Sequence, residues 1–145
     1  MDIKPENILL SKSDSFKISD FGMARRISDF TTNSNQEIPE GDERYLAQEL
    51  LCFNQNKHGM IDLKKADVFA LGCTAYELIE GISMPKNGQG YHDLRQGRVV
   101  FNKYTQERFS QKLRDTVRLM LSPIPQDRPS IEQILDMISS AETRH

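Results

Sequence analysis

The stretch that most limits what this chain can fold into is LKKADVFALGCTAYELIE, residues 63–80. Val68, Leu71, Ala75, Leu78 and Ile79 recur at helical spacing. Asp62 stands where an N-cap would, and Gly81 where a left-handed residue ends a helix. Phe69, Ala70, Gly72 and Tyr76 fall on the other faces and are also apolar or small. A helix apolar nearly all round has to be surrounded, which predicts a central position in a mainly helical domain.

The remaining pattern supplies the surroundings. Phe109, Leu113, Val117, Met120 and Leu121 mark an amphipathic helix closed by Ser122-Pro123. Ser130 to Gln133 fits a capping box and opens a last helix through Ile131, Ile134, Leu135 and Ile138. Residues 83–90 read as loop, and Tyr91 to Gln96 as a short helix ended by Gly97. The first third differs. Ile8–Leu10 and Phe16–Ile18 are brief apolar runs around Ser11-Lys12-Ser13-Asp14-Ser15, which predicts a small hairpin. Residues 28–43 have few apolar anchors and many turn formers, the mark of a long functional loop. The fold class is therefore mainly α with a small β element (α+β).

Composition removes several function classes. The 145 residues suit one domain with a real core, at 37% hydrophobic and 28% charged. A formal charge of −2, with basic pairs only at Arg25-Arg26 and Lys64-Lys65, gives no field for nucleic acid. Cys52 and Cys73 make no CxxC and read as free thiols; with His58, His92 and His145 scattered, there is no zinc spacing. His58 and His92 sit in polar stretches and are expected to be solvated, and Met84, Met120 and Met137 read as packing residues. No run approaches membrane-span length, and no targeting segment opens the chain.

The chemistry lies in MDIKPENILL. Asp2 and Asn7 alone would be a polar turn before a strand, and Asp20-Phe21-Gly22 alone a capped turn. Together they flank one hairpin, whose open end can bring Asn7 and Asp20 close. Two hard oxygen ligands with room for water and phosphate suit Mg²⁺. Lys4 aims a fixed positive charge at the same place, and Asp2 could accept a proton from an attacking hydroxyl. Metal, cation and an oriented nucleophile are what phosphoryl transfer needs.

These residues resemble the C-terminal lobe of a eukaryotic protein kinase. DIKPEN resembles the catalytic loop, and DFG the start of an activation segment, residues 20–49, ending at Ala47-Gln48-Glu49 with Gln48 in place of the family's proline. The resemblance implies Asp2 and Lys4 as catalytic residues, Lys4, Asn7, Leu9 and Asp20 as ATP-binding residues, and Asn7 and Asp20 as metal ligands. It implies structural roles for Asp67 in KADVFALG, which would hold the catalytic loop, and for Glu49 and Arg128, which would form a shielded ion pair. A surface helix charge and a solvated loop charge are the bland alternatives for Asp67 and Arg128. ATP and Mg²⁺ are the implied cofactors.

A narrower resemblance is to the Wee-type kinases, which phosphorylate a tyrosine of cyclin-dependent kinases in cell-cycle control. It rests on EGDERYLAQELL, residues 40–51, with Gly41-Asp42 where most serine/threonine kinases have Gly-Thr, on KADVFALG, and on Met1 before the catalytic aspartate. It implies a cyclin-dependent kinase as protein partner and an intracellular location, nucleus or cytoplasm. Thr31, Thr32 and Ser34 would be places where phosphate orders the loop against Arg25 or Arg26, or else parts of an unmodified loop.

The sequence has no G-x-G-x-x-G, since Asp93 stands where a third glycine would follow Gly88 and Gly90, and no V-A-I-K strand. Residues 1–145 are therefore expected to be a partial kinase domain without the N-terminal lobe, beginning in mid-domain and inactive alone. The competing expectation is a noncatalytic kinase-lobe remnant that binds other proteins.

Overall fold

The computed structural model describes residues 2–26, 41–52 and 61–139. In chain order these form a two-stranded hairpin, β1 (Ile8–Leu10) and β2 (Phe16–Ile18), then the helices α1 (Gln48–Leu51), α2 (Leu63–Glu80), α3 (Gly88–Arg95), α4 (Lys103–Arg108), α5 (Gln111–Met120) and α6 (Ile131–Ser139). The strands are antiparallel, with Ile8 opposite Ile18, Leu9 opposite Lys17 and Leu10 opposite Phe16. Met1, Thr31, Thr32, Ser34, His58, His145 and most of the 28–43 loop lie outside the described residues.

Helix α2 organises the rest. The Asp62 carboxylate accepts from the Lys64 and Lys65 amides at 3.0 and 3.3 Å, satisfying donors that the first turn leaves open. At the other end Gly81 takes φ 66°, a left-handed conformation that costs glycine little, and its N–H reaches the Glu77 carbonyl. Ala66, Phe69, Ala70 and Cys73 pack with Tyr45, Ala47, Leu94, Phe101, Val117 and Leu121 in the main core. Val68 meets Met120 and Ile134 in a second cluster, so two sides of α2 are covered. Burial fades in the last turns: Leu78, at helical spacing with the buried positions, is 64% exposed.

Several boundaries differ from the sequence reading. Helix α3 begins at Gly88 rather than Tyr91, and His92 is exposed on it. Helix α4 has no counterpart in the periodicity, because only Thr105 of its KYTQER sequence is buried. Its start is set by the Asn102 side chain, which accepts from the Thr105 amide at 2.8 Å. Ser110 caps α5, accepting from the Leu113 amide, so Phe109 lies before that helix. The capping box at α6 forms in both directions: the Ser130 amide donates to Gln133 Oε1 and the Gln133 amide to Ser130 Oγ.

Gly72 marks the closest approach of α2 and α5. A Cβ there would lie 3.0 Å from Met120 Cβ and 3.1 Å from Leu121 Cδ2. Met120 Cβ is fixed to its own backbone, so the two helices would have to part. Alanine gains up to ~1 kcal/mol of helix propensity over glycine, while overpacking costs ~1–3 kcal/mol. Gly72→Ala is therefore expected to lower stability by about 1 kcal/mol, read from the urea midpoint at constant m-value; a rise in midpoint would show that α5 yields freely.

Candidate active site

The loop before β1 is shaped by its proline. Pro5 opens a single 3₁₀ turn, Pro5–Asn7, where its missing N–H costs nothing, and the Asn7 amide closes on the Lys4 carbonyl at 3.0 Å. The Asn7 carbonyl then receives the Ser19 amide at 2.8 Å and the Ser19 hydroxyl at 3.2 Å. These bonds pin the open end of the hairpin, so Asp20 follows one residue after the contact with Asn7.

The Asn7 side chain is buried and turned towards Asp2. Its Nδ2 donates to the Asp2 carbonyl at 2.8 Å and to Asp2 Oδ2 at 3.1 Å. Lys4 Nζ sits 3.3 Å from Asp2 Oδ2 and 3.5 Å from Asp42 Oδ2. Burial works against the Lys4 charge, yet the two carboxylates outweigh it and hold the ammonium above its ordinary pKa. The Asp42 amide donates to Asp2 Oδ1 at 3.4 Å, so both Asp2 oxygens are engaged.

Asp42 is the site residue absent from the set assigned by sequence. Arg44, two positions on, grips it with Nε to Oδ1 at 2.9 Å and a terminal nitrogen to Oδ2 at 2.6 Å. This fork is the main reason the Asp42 carboxyl falls to about 2, against a smaller opposing effect of burial. The same Arg44 nitrogen reaches Glu6 Oε1 at 3.4 Å. One alternating charge ladder thus runs Asp2, Lys4, Asp42, Arg44, Glu6. The signal in the sequence was the acid and base two apart in GDER.

The other assigned residues fall as follows. Asp20 is exposed, in a left-handed conformation at φ 58°, and its Oδ1 accepts from the Gly22 amide at 3.1 Å. It shares a cleft of about 270 Å³ with Asp2, Phe21, Arg25, Lys64 and Asp67. Asp67 is half-buried on α2, and burial raises its carboxyl above the ordinary range. Leu9 is 53% exposed on β1. Arg25 donates to the carbonyls of Gly22 and Ala24.

Asn7 spends its amide nitrogen on Asp2, which leaves Oδ1 as its ligating atom, while Asp20 keeps a carboxylate oxygen beyond the Gly22 bond. Among the described residues no group of three His, Cys, Asp or Glu could cage a metal. Hard oxygens in small number are the donor type that Mg²⁺ takes, since it retains water and needs few protein ligands; of the two residues, Asp20 lines the cleft and Asn7 does not.

Glu49 and Arg128 meet. Two guanidinium nitrogens of Arg128 bond the two carboxylate oxygens at 2.5 and 3.0 Å. Its other contacts are to the Ser122 and Lys65 carbonyls, at 2.8 and 2.9 Å, and the Lys65 ammonium donates back to the Arg128 carbonyl. The Arg128 side chain is wholly buried, whereas that of Glu49 is partly buried, 19% exposed.

A helical core with a small hairpin that presents an acid, a lysine and an amide from one loop is the architecture of a protein kinase catalytic lobe. The chain belongs to the protein kinase family: the model described as "Protein kinase domain" matches residues 1–138. Among its relatives, a probable protein kinase of Dictyostelium discoideum is 36% identical over 93% of this chain and 34% of its own length. A membrane-associated tyrosine- and threonine-specific cdc2-inhibitory kinase of Caenorhabditis elegans is 34% identical over 93% of this chain and 18% of its own. The Wee1-like protein kinase 1-B of Xenopus laevis is 33% identical over 90% and 23%. The chain resembles the Wee-type kinases and spans about a third or less of the length of these relatives.

Two outcomes follow from the geometry. Glu49→Gln leaves a buried guanidinium without its countercharge and is expected to lower unfolding free energy by about 3 kcal/mol; a loss under about 1 kcal/mol would mean that the carbonyls alone satisfy Arg128. Asp42 has a folded-state pKa below its unfolded value, so its contribution is complete above about pH 4 and disappears as pH falls through about 2. The stability gap between the protein and Asp42→Asn, followed by urea unfolding against pH, is expected to close across that window. A gap that persists at pH 2 would show that the carboxylate's charge is not the source.

Proposed function

We propose that this chain carries the catalytic loop of a Wee-type protein kinase, which transfers the γ-phosphoryl group of ATP to a tyrosine hydroxyl of a cyclin-dependent kinase in cell-cycle control, in the nucleus or cytoplasm. The observation that carries this reading is the Asp2–Lys4–Asp42 group: an acid held ready by Asn7 with a lysine charge directly beside it. The printed names of the Caenorhabditis and Xenopus relatives support the Wee-type assignment. Among the described residues no helix is long and apolar enough to cross a membrane.

In this reading Asp2 accepts the proton of the incoming hydroxyl, with the Asn7 amide and the Asp42 N–H fixing its two oxygens. Lys4 holds its charge towards the transferred phosphoryl oxygens and is kept protonated by Asp2 and Asp42. Asn7 Oδ1 and the Asp20 carboxylate are the groups that would hold Mg²⁺, which when bound neutralises charge on phosphate oxygens. Asp67 and the Glu49–Arg128 pair support the loop and the end of the 41–52 segment from the core.

The second reading, a noncatalytic module that binds proteins, draws on the exposed apolar side chains of the hairpin region: Leu9, Leu10, Phe16, Ile18 and Phe21 are 53–76% exposed. The sequence holds no G-x-G-x-x-G and no V-A-I-K motif, so alone these 145 residues give ATP neither that lid nor that lysine anchor.

The test is phosphate transfer from ATP to a cyclin-dependent kinase, using the 145-residue chain and the product of any open frame continuous with the codons before Met1. The expected result is no turnover by the 145 residues and tyrosine phosphorylation by the longer product, falling ~10²–10⁴-fold in Asp2→Asn. Turnover confined to serine would overturn the tyrosine assignment, and a stop codon before Met1 with no turnover would favour the binding module.

A further inference from the structure

Arg95, the last residue of α3, is a buried cation, 3% exposed. Among the described residues it has no carboxylate partner. Its acceptors are main-chain carbonyls: one terminal nitrogen bonds Glu43, Arg44 and Leu46 at 2.8, 3.2 and 2.8 Å, and the other bonds Tyr91 at 3.1 Å. The guanidinium carbon lies 3.5 Å from the centroid of the Tyr91 ring and 5.8 Å from that of Phe69. Nε is buried without a partner. Burying an arginine with neither countercharge nor full hydrogen bonding is costly, and burial depresses its pKa accordingly. A cation kept under those terms has to be serving the groups around it.

The groups around it belong to one short turn. Within residues 42–46 the Tyr45 amide meets the Asp42 carbonyl at 2.9 Å and the Leu46 amide the Glu43 carbonyl at 3.4 Å, and the Arg44 amide and guanidinium bond the Asp42 carboxylate. Beyond these, the Tyr45 hydroxyl donates to Glu77 Oε2 at 2.6 Å, anchoring the side-chain face. Arg95 bonds the carbonyl face. The turn begins with Asp42, whose amide and carboxylate meet Asp2 and Lys4.

We propose that Arg95 is a positioning residue: it fixes the Glu43–Leu46 turn by its carbonyls, so that Asp42 is delivered to Lys4 and Asp2. This deepens the kinase reading by adding the element that sets the geometry of the Lys4 charge. Arg95 touches none of the reacting groups and acts through the backbone. The nitrogen that meets the three turn carbonyls is held in place by the rest of the planar group, which bonds the Tyr91 carbonyl through its other terminal nitrogen and lies against the Tyr91 ring; an ammonium on a flexible stem has neither the second nitrogen nor the stacking plane. Arg95→Lys is therefore expected to fail almost as Arg95→Met does.

The experiment compares the 145-residue protein with Arg95→Lys, Arg95→Met and Ile134→Ala, a variant in the second core cluster that serves as a general-destabilisation control. The first readout is native-state amide exchange at Asp42 and Tyr45 against amides within α5. The second is the rate of acylation of Lys4 relative to Lys12 in the exposed hairpin loop, by mass spectrometry. Both Arg95 variants are expected to speed exchange at the turn at least about tenfold more than in α5, and to raise Lys4 labelling severalfold towards that of Lys12. Ile134→Ala is expected to move all amides together and leave the Lys4 to Lys12 ratio unchanged. Equal acceleration throughout, or a loosened turn with unchanged Lys4 labelling, overturns the proposal, as does full protection in Arg95→Lys. None of these readouts needs ATP turnover, so absence of phosphate transfer by the longer product would count against the kinase reading and leave this one standing or falling by itself.

Discussion

The Arg128 guanidinium is the junction on which the rest of the structure depends. It is wholly buried, lies 4.9 Å from the centroid of the Phe69 ring, and has acceptors on three separate parts of the chain: Glu49 of α1, Lys65 of α2 and Ser122 after α5. A buried cation is tolerable only with its countercharge and its hydrogen bonds in place. Those demands make the position of α1 a condition of the core rather than a loop preference. Tyr45, Ala47 and Leu50 are the residues of this segment that join the main core, and the Glu49 charge adds a fixed anchor to their packing.

Two arginines hold this one segment, and they solve the burial problem differently. Arg128 takes a carboxylate at the Glu49 end; Arg95 takes carbonyls at the Glu43–Leu46 end. Both guanidiniums approach the Phe69 ring, at 4.9 and 5.8 Å, so one aromatic face of α2 helps to accommodate both charges. The buried thiol of Cys73 lies in the same neighbourhood. Burial pushes it up to about 12, against the pull of the two arginines, so it remains a packing group and not a nucleophile.

How much of this was legible in the sequence depended on what each element uses to hold itself. Helix α2 was readable to the residue because its caps, Asp62 and Gly81, are side-chain and backbone signals of known type. The hairpin bounds and the Ser130–Gln133 box were readable for the same reason. Helix α4 was not, since its cap is Asn102 and its body offers no apolar period. The Glu49–Arg128 contact could be inferred from resemblance, because both partners are named side chains. Arg95 gave no such sign: its partners are carbonyls, which every residue carries, so nothing in the letters 43–46 points to it. Asp42 stood in a quoted motif, but its contact with Lys4 spans 38 residues and needs the turn to be folded first.

The site divides along the same line. The half proposed to accept the proton, Asp2 with Lys4 and Asp42 beside it, is tied through residues 42–46 to α2 and α3. The other half, the Asp20 end proposed to meet the metal, follows the hairpin, where Phe16, Ile18 and Phe21 are exposed and Asp20 accepts from the Gly22 amide. Positional precision in a folded chain follows packing density and satisfied polar groups. The first half therefore has its geometry fixed by the core, whereas the second can shift without disturbing it. A phosphoryl-transfer site tolerates that asymmetry in one direction only. The acid and lysine have to be preorganised, because their charges are placed before the reaction begins, while metal ligands of low number can be drawn into place by the ion they hold.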